Sequence, residues 1–185
     1  MFEQLTQLVQ QYSGDTVVKN EAVPNEHNEA VITETSNSIF DGLKKIASEG
    51  GTEQLAALFN GSAPVNSSNP VVQKITEQLS GTLGNKFGIS SETSSGVAAS
   101  LIPQVLNSLV NKAKDPKDSS FQISDIISSI TGNSGQASGI MDAISKYGTQ
   151  FGLDQNNDGK IDEADVAAIA KKGGLGGLFG RLFSK

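Results

Sequence analysis

The chain has 185 residues, a formal net charge of −6 at pH 7 and a sequence pI near 4.8. Twenty acidic residues against fourteen basic ones argue against binding to nucleic-acid phosphates and favour cations as small partners. The lack of cysteine excludes disulfides, thiolate nucleophiles and zinc–thiolate sites. With 36% hydrophobic residues, few aromatics and no Trp, we expect one core made of aliphatic side chains.

The amino-terminal sequence gives an expectation about location. Residues 1–5 show no basic patch, long apolar stretch or small-residue cleavage site of the kind that marks a secretory signal. Cytoplasmic residence is therefore the default expectation. No apolar run reaches the roughly eighteen residues of a membrane-spanning helix, so we expect any membrane contact to be peripheral.

Apolar residues recur at steps of three and four, which predicts an all-α fold, a compact array of about seven to nine helices. A short first helix ends at Ser13-Gly14, and residues 15–20 are predicted to form a linker. Pro24 fits the first turn of a long second helix that ends at Gly50-Gly51. The apolar face of this helix comprises Ile32, Ile39, Leu43 and Ile46.

The middle of the chain predicts three more helices. Residues 55–59 supply a short one, followed by a loop. Asn69 is a suitable N-cap and Pro70 a suitable first residue for the next helix. The helix after it runs from about residue 91 to 112, and Pro103 should kink or break it. In the helix that starts at Pro70, the positions predicted to face the core are Val72, Ile75, Leu79 and Leu83. In the helix at about 91–112 they are Ala98, Leu101, Ile102, Val105 and Leu109.

Two further helices are predicted before a motif with specific chemistry. The first ends at Gly132, and the second runs from Ile140 to Phe151. Both have apolar residues at helical spacing and are predicted to face the core. These positions are Phe121, Ile123, Ile126, Ile127 and Ile130 in the first, and Ile140, Met141, Ile144 and Phe151 in the second.

Residues 154–165 read Asp-Gln-Asn-Asn-Asp-Gly-Lys-Ile-Asp-Glu-Ala-Asp, which fits the twelve-residue EF-hand loop. Gly159 stands at position six, where the chain turns sharply around the ion. Ile161 at position eight is predicted to anchor the loop to the core. The predicted ligands of Ca²⁺, with Mg²⁺ as the alternative ion, are Asp154, Asn156, Asp158, Lys160 through its backbone carbonyl, Asp162 and Asp165.

Position twelve departs from the usual EF-hand pattern. Asp165 replaces the customary Glu, and its shorter side chain reaches the ion less easily with both oxygens, which predicts weaker binding. The helix Ala164–Lys172 and the preceding helix would frame the loop. The alternative is a metal-free tight turn at residues 157–159, with Asp162 capping the helix that follows.

The last thirteen residues, 173–185, form a Gly/Leu-rich tail in which Leu175, Leu178, Phe179 and Leu182 share one helical face. This amphipathic tail is predicted to fold back on the core, to dock to a protein partner or a second copy of the chain, or to lie on a membrane surface.

No catalytic site is apparent, and we expect a protein that is not an enzyme. His27, the one histidine, lies in a polar stretch and is predicted to be solvated. The chain contains no nucleophile elbow, phosphate loop or zinc-binding His-Glu-x-x-His sequence.

Three segments resemble the YidB-like family of bacterial helical proteins of uncharacterised function. They are Leu79–Ser90, the sequence Leu-Ile-Pro-Gln-Val-Leu at 101–106, and the Gly/Leu-rich tail. The resemblance spans roughly residues 39–151. It implies a helical array and a bacterial source but no catalytic residues, and the calcium loop is predicted from its own twelve residues.

These observations divide the chain into a helical domain at 1–150, a calcium-binding loop and helix at 151–172, and the tail at 173–185. The leading hypothesis is a calcium-binding interaction or structural module in which the ion positions the C-terminal helix. The alternatives are a hydrolase-like enzyme with an unfamiliar site, and a self-assembling structural protein that calcium stabilises.

Overall fold

The computed structural model describes residues 2–115, 118, 120–131 and 140. These residues form six α-helices and two irregular helical turns, with no β-strand among them, and the all-α prediction is confirmed. The helices are α1 (Phe2–Ser13), α2 (Asn28–Ser48), α3 (Thr52–Asn60), α4 (Pro70–Phe87), α5 (Ser91–Lys114) and α6 (Ile123–Thr131).

The start of α4 is built as its sequence predicts. The Asn69 side-chain oxygen accepts a hydrogen bond from the Val71 N–H at 2.9 Å, and Pro70 fills the first helical position. The Asn69 amide also donates to the Pro64 carbonyl at 2.9 Å, which attaches the preceding loop to the helix. Because the first N–H groups of a helix lack internal partners, this cap stabilises the helix start.

A three-residue connection joins α4 to α5. Gly88 ends α4 with a φ of +64°, a left-handed conformation that glycine adopts without steric cost. Ser90 then caps α5 by accepting a hydrogen bond from the Thr93 N–H at 3.2 Å. The short connection makes α4 and α5 antiparallel neighbours that pack along their apolar faces.

One hydrophobic core contains residues from all six helices. Helix α2 contacts each of the other five, α1 also packs on α5, and α3 packs on α4 and α5. Ile140 is fully buried in the same cluster. The largest fully buried side chains are Phe59, Ile39, Leu43, Ile46, Leu55, Leu58, Ile75, Leu79, Leu83, Leu101, Ile102 and Leu106.

Helices α2 and α4 cross at very close range at Gly42. A Cβ atom at this position would lie 2.6 Å from Cγ1 of Ile75, a side chain that is fully buried. The absence of a side chain at Gly42 therefore sets how closely the two helices approach. Two ion pairs at the surface, Lys86–Glu34 at 2.9 Å and Lys74–Glu49 at 3.1 Å, add weak links between α4 and α2 with its C-cap residue Glu49.

The predicted linker at residues 15–20 is wrong. Gly14–Val18 continues α1 as a π-helical turn, in which the Lys19 N–H donates to the Gly14 carbonyl at 2.9 Å. Val17 is fully buried in the core. The linker prediction rested on the low helix propensity of the local sequence. The burial of Val17 outweighs that propensity.

The structure corrects the Pro24 prediction and decides one of the two alternatives for Pro103. Pro24 precedes a 3₁₀ turn, Asn25–His27, so α2 itself begins at Asn28, later than expected. Pro103 does not break α5, which runs from Ser91 to Lys114. Neighbours on both sides of Pro103, including Leu101 and Val105, are fully buried, and their packing holds the helix together across the missing hydrogen bond.

No helix in the described part of the chain is long and apolar enough to span a membrane.

We expect Gly42→Ala to lower the free energy of unfolding. The new methyl group would overlap Ile75, and overpacking of this kind costs about 1–3 kcal/mol, more than the gain of about 1 kcal/mol in helix propensity. The matched control is Gly81→Ala in α4, where an added Cβ meets no atom within 4 Å. The control should raise stability by about 0.5–1 kcal/mol. Urea denaturation measures both, and equal effects would contradict the close crossing.

Candidate functional site

The predicted calcium ligands, residues 154–165, lie outside the described residues, as does the predicted tail. Within the part of the chain that is described, no group of three or more His, Cys, Asp or Glu side chains is arranged to hold a metal ion. The calcium loop therefore stays a prediction from its sequence.

The described residues form an open, polar cleft of about 420 Å³ beside α5. One wall is the exposed face of α5, with Gln104, Asn107, Ser108 and Asn111. Half-buried Tyr12, near the end of α1, also lines the cleft. The packing of α1 against α5 creates this juxtaposition.

Side-chain amides and hydroxyls follow one another along the α5 wall at helical spacing. The Gln104 amide donates to the Ser100 hydroxyl at 3.1 Å, and the Asn111 amide donates to the Asn107 side-chain oxygen at 3.2 Å. Thr16, on the π-helical turn, has its hydroxyl oxygen 3.4 Å from that of Ser100. This row of polar groups therefore continues from α5 onto the segment after α1.

Lys112, Asp115 and Asp118 line the end of the cleft near the C-terminus of α5. The Lys112 ammonium lies 2.9 Å from Oδ2 of Asp118, and the Ser120 N–H donates to Oδ1 at 2.9 Å. Both carboxylate oxygens of Asp118 therefore have protein partners. The hydrogen bond from Lys112, followed by those from Ser120, lowers the pKa of Asp118 from its usual 3.8 to about 2.

His27 is less isolated than its sequence neighbours suggest. Its ring packs on that of Phe87, with 5.4 Å between the ring centroids, and the side chain is 32% exposed. Phe87 comes from the end of α4 and is 60 residues away in the chain, so the sequence around His27 gave no sign of this apolar neighbour. Among the described residues, Glu26 at 3.9 Å is the one group in contact with the His27 ring that could act with it in catalysis.

The cleft residues were not predicted as a site. Their signal in the sequence is the recurrence of amide and hydroxyl side chains at steps of three and four between Ser100 and Asn111. Such a row is also typical of any exposed helix face. What distinguishes this face is Tyr12, which the fold brings to it from a distant part of the chain.

The chain matches the model of a known protein family. The model of the family described as "Bacterial protein of unknown function (DUF937)" matches residues 69–181, more than half of the chain. The chain therefore belongs to this bacterial family. The match begins at Asn69, the N-cap of α4, and extends through the segment of the predicted calcium loop.

Neither the curated proteins nor the solved structures include a match to this chain.

Acidification should weaken the link between α5 and the Asp118 segment. Because the pKa of Asp118 is lower in the folded chain than its usual 3.8, its ion pair stabilises the fold above about pH 4. This contribution should be lost as the pH falls from about 4 to about 2. Lys112→Gln removes the main cause of the shift, so we expect the pKa of Asp118 to rise toward 3.8.

The measurement is a titration of the Asp118 carboxyl carbon by NMR, over the pH range in which the chain stays folded. The internal control is Asp15, whose pKa is lowered by its hydrogen bond with Lys19 and should not change in Lys112→Gln. An unaltered Asp118 pKa in this variant would show that Lys112 is not its partner in solution.

Proposed function

We propose that the chain is a non-catalytic, calcium-binding helical module, with one ion held by the loop at residues 154–165. The observation that carries the proposal is the twelve-residue pattern itself. Oxygen-bearing side chains occupy loop positions one, three, five, nine and twelve, and glycine occupies position six. A tight turn alone requires far fewer of these residues.

The electrostatics of the segment support a bound cation. Asp154, Asp158, Asp162 and Asp165 place four carboxylates within twelve residues, and Glu163 adds a fifth. Carboxylates that converge in the loop conformation repel one another unless a cation lies between them. The net charge of −6 adds a long-range attraction for divalent ions over the chain as a whole.

The family match bears on where the loop lies. The matched segment runs from residue 69 to residue 181 and so includes residues 154–165. We propose the YidB-like proteins as the nearer relatives, from the sequences at 79–90 and 101–106. The function of the family is unknown, so the proposed activity rests on the chain's own residues.

In the proposed mechanism the ion fixes the direction of the chain after the loop. Ligands at both ends of the loop, Asp154 and Asp165, are drawn to one cation, which orients the predicted helix Ala164–Lys172 and the tail after it. The tail then contacts a protein partner or a second copy of the chain. Since binding adds stability in proportion to the logarithm of ion concentration, calcium also strengthens the fold.

Calorimetric titration of the full chain with calcium tests the proposal. We expect one bound ion, with magnesium as a weaker competitor, and complete loss of binding heat in the double variant Asp154→Ala/Asp158→Ala. The matched control is Lys160→Ala, which retains the backbone carbonyl that serves as the ligand and should bind as the native chain does. No binding heat at calcium concentrations of about 1 mM or more would refute the proposal.

Position twelve offers a test in the opposite direction. Asp165→Glu restores the side chain that reaches the ion with both oxygens, so calcium affinity should rise roughly tenfold or more. Magnesium affinity should rise less, because magnesium prefers six ligands in octahedral geometry. A variant that binds calcium no more tightly than the native chain would show that residue 165 is not a ligand.

A further inference from the structure

We propose that the cleft between Tyr12 and α5 binds a neutral, hydroxyl-rich ligand, an oligosaccharide. This second site is independent of the calcium loop. Its volume of about 420 Å³ lies within the range of small-molecule sites, and the cleft is largely open to solvent, which leaves room for a chain-like ligand.

The hydrogen-bonding groups of the cleft suit sugar hydroxyls. A hydroxyl both donates and accepts, and an amide side chain offers both functions. After the bond between Asn111 and Asn107, the amide nitrogen of Asn107 retains its two donors and the side-chain oxygen of Asn111 has no donor to it among the described residues. The side-chain oxygen of Gln104 is likewise without a donor among them.

Tyr12 adds an apolar surface to this set. An aromatic ring packs on the C–H face of a sugar while amides bind the hydroxyls at its edge, a combination that suits an amphipathic ring better than it suits a fully apolar ligand. The ring is half-buried, and the hydroxyl has no protein partner among the described residues. Tyr12 can therefore contribute a hydrogen bond as well as a stacking surface.

The charges of the cleft argue against ionic ligands. Among the described lining residues Lys112 is the one cation, and it is already paired with Asp118, so this part of the cleft offers an anion no unpaired positive charge. A metal ion would compete with Lys112 and the Ser120 N–H for the oxygens of Asp118. A neutral ligand does not displace Lys112 or the Ser120 N–H from Asp118.

The cleft wall is held in place by the core. Fully buried residues on α5, among them Leu106 at 0% exposure, fix the helix that carries the amides. The Asn107–Asn111 hydrogen bond restrains two of those side chains before a ligand arrives. A preformed wall of this kind lowers the entropy lost on binding.

NMR titration of the full chain with maltotetraose, cellotetraose and N,N′,N″,N‴-tetraacetylchitotetraose tests the proposal. We expect at least one sugar to cause saturable shifts of the Asn107 and Asn111 side-chain amides and of the Tyr12 ring. Asn107→Ala/Asn111→Ala should weaken this binding about tenfold or more, since it removes the hydrogen-bonding groups from an exposed helix face without disturbing the core. Asn85→Ala, an exposed Asn on α4 outside the cleft, is the matched control and should leave binding unchanged.

Other outcomes would overturn the assignment. If none of the three sugars causes shifts at about millimolar concentration, the proposal of an oligosaccharide ligand is refuted. Shifts that persist in the double Asn variant would place binding elsewhere, and shifts produced by citrate or by a polar peptide but by no sugar would assign the cleft to a different ligand class. Because none of these readouts depends on calcium, they separate this proposal from the calcium loop.

Discussion

The close crossing of α2 over α4 is the constraint on which the rest of the fold depends. Gly42 has no side chain, so the backbone of α2 can approach Ile75, and α2 thereby reaches a central position in contact with all other described helices. A larger residue at this point would push α2 outward and open the packing of the whole core. The stability of a single core built from aliphatic side chains rests on such close packing, because it contains few aromatic rings to fill gaps.

The hydrophobic core extends beyond residues 69–181, the segment that the family model matches. The match begins at Asn69, yet Leu8 and Val9 from α1 and Ile39 from α2 are buried together with residues of α4 and α5. The two-helix unit α4–α5 has apolar residues that it cannot cover alone, and in this chain the preceding 68 residues cover them. The packing of α1 on α5 also forms the polar cleft, which therefore lies where the two parts of the chain meet.

The sequence predicted helix boundaries well where residues adjacent in the chain determine them. Asn69-Pro70 marked the start of α4 because capping depends on residues that are adjacent in sequence. The π-helical turn after α1 was missed because it depends on the burial of Val17. The sequence left open whether Pro103 breaks α5 or only kinks it, and the burial of its neighbours decides for an unbroken helix. The cleft was missed for a related reason: no local pattern associates Tyr12 with Asn107.

The sequence by itself determined the helical class, most helix boundaries, the lack of thiol chemistry and the pattern at residues 154–165 that predicts a calcium loop. Each of these follows from composition, from periodicity or from neighbours within a dozen residues. The tertiary structure alone decided which helices pack together, the need for glycine at position 42, the contact of His27 with Phe87 and the pairing of Tyr12 with the amide face of α5. These features join residues that are tens of positions apart, and their energy comes from packing that exists only once the chain has folded.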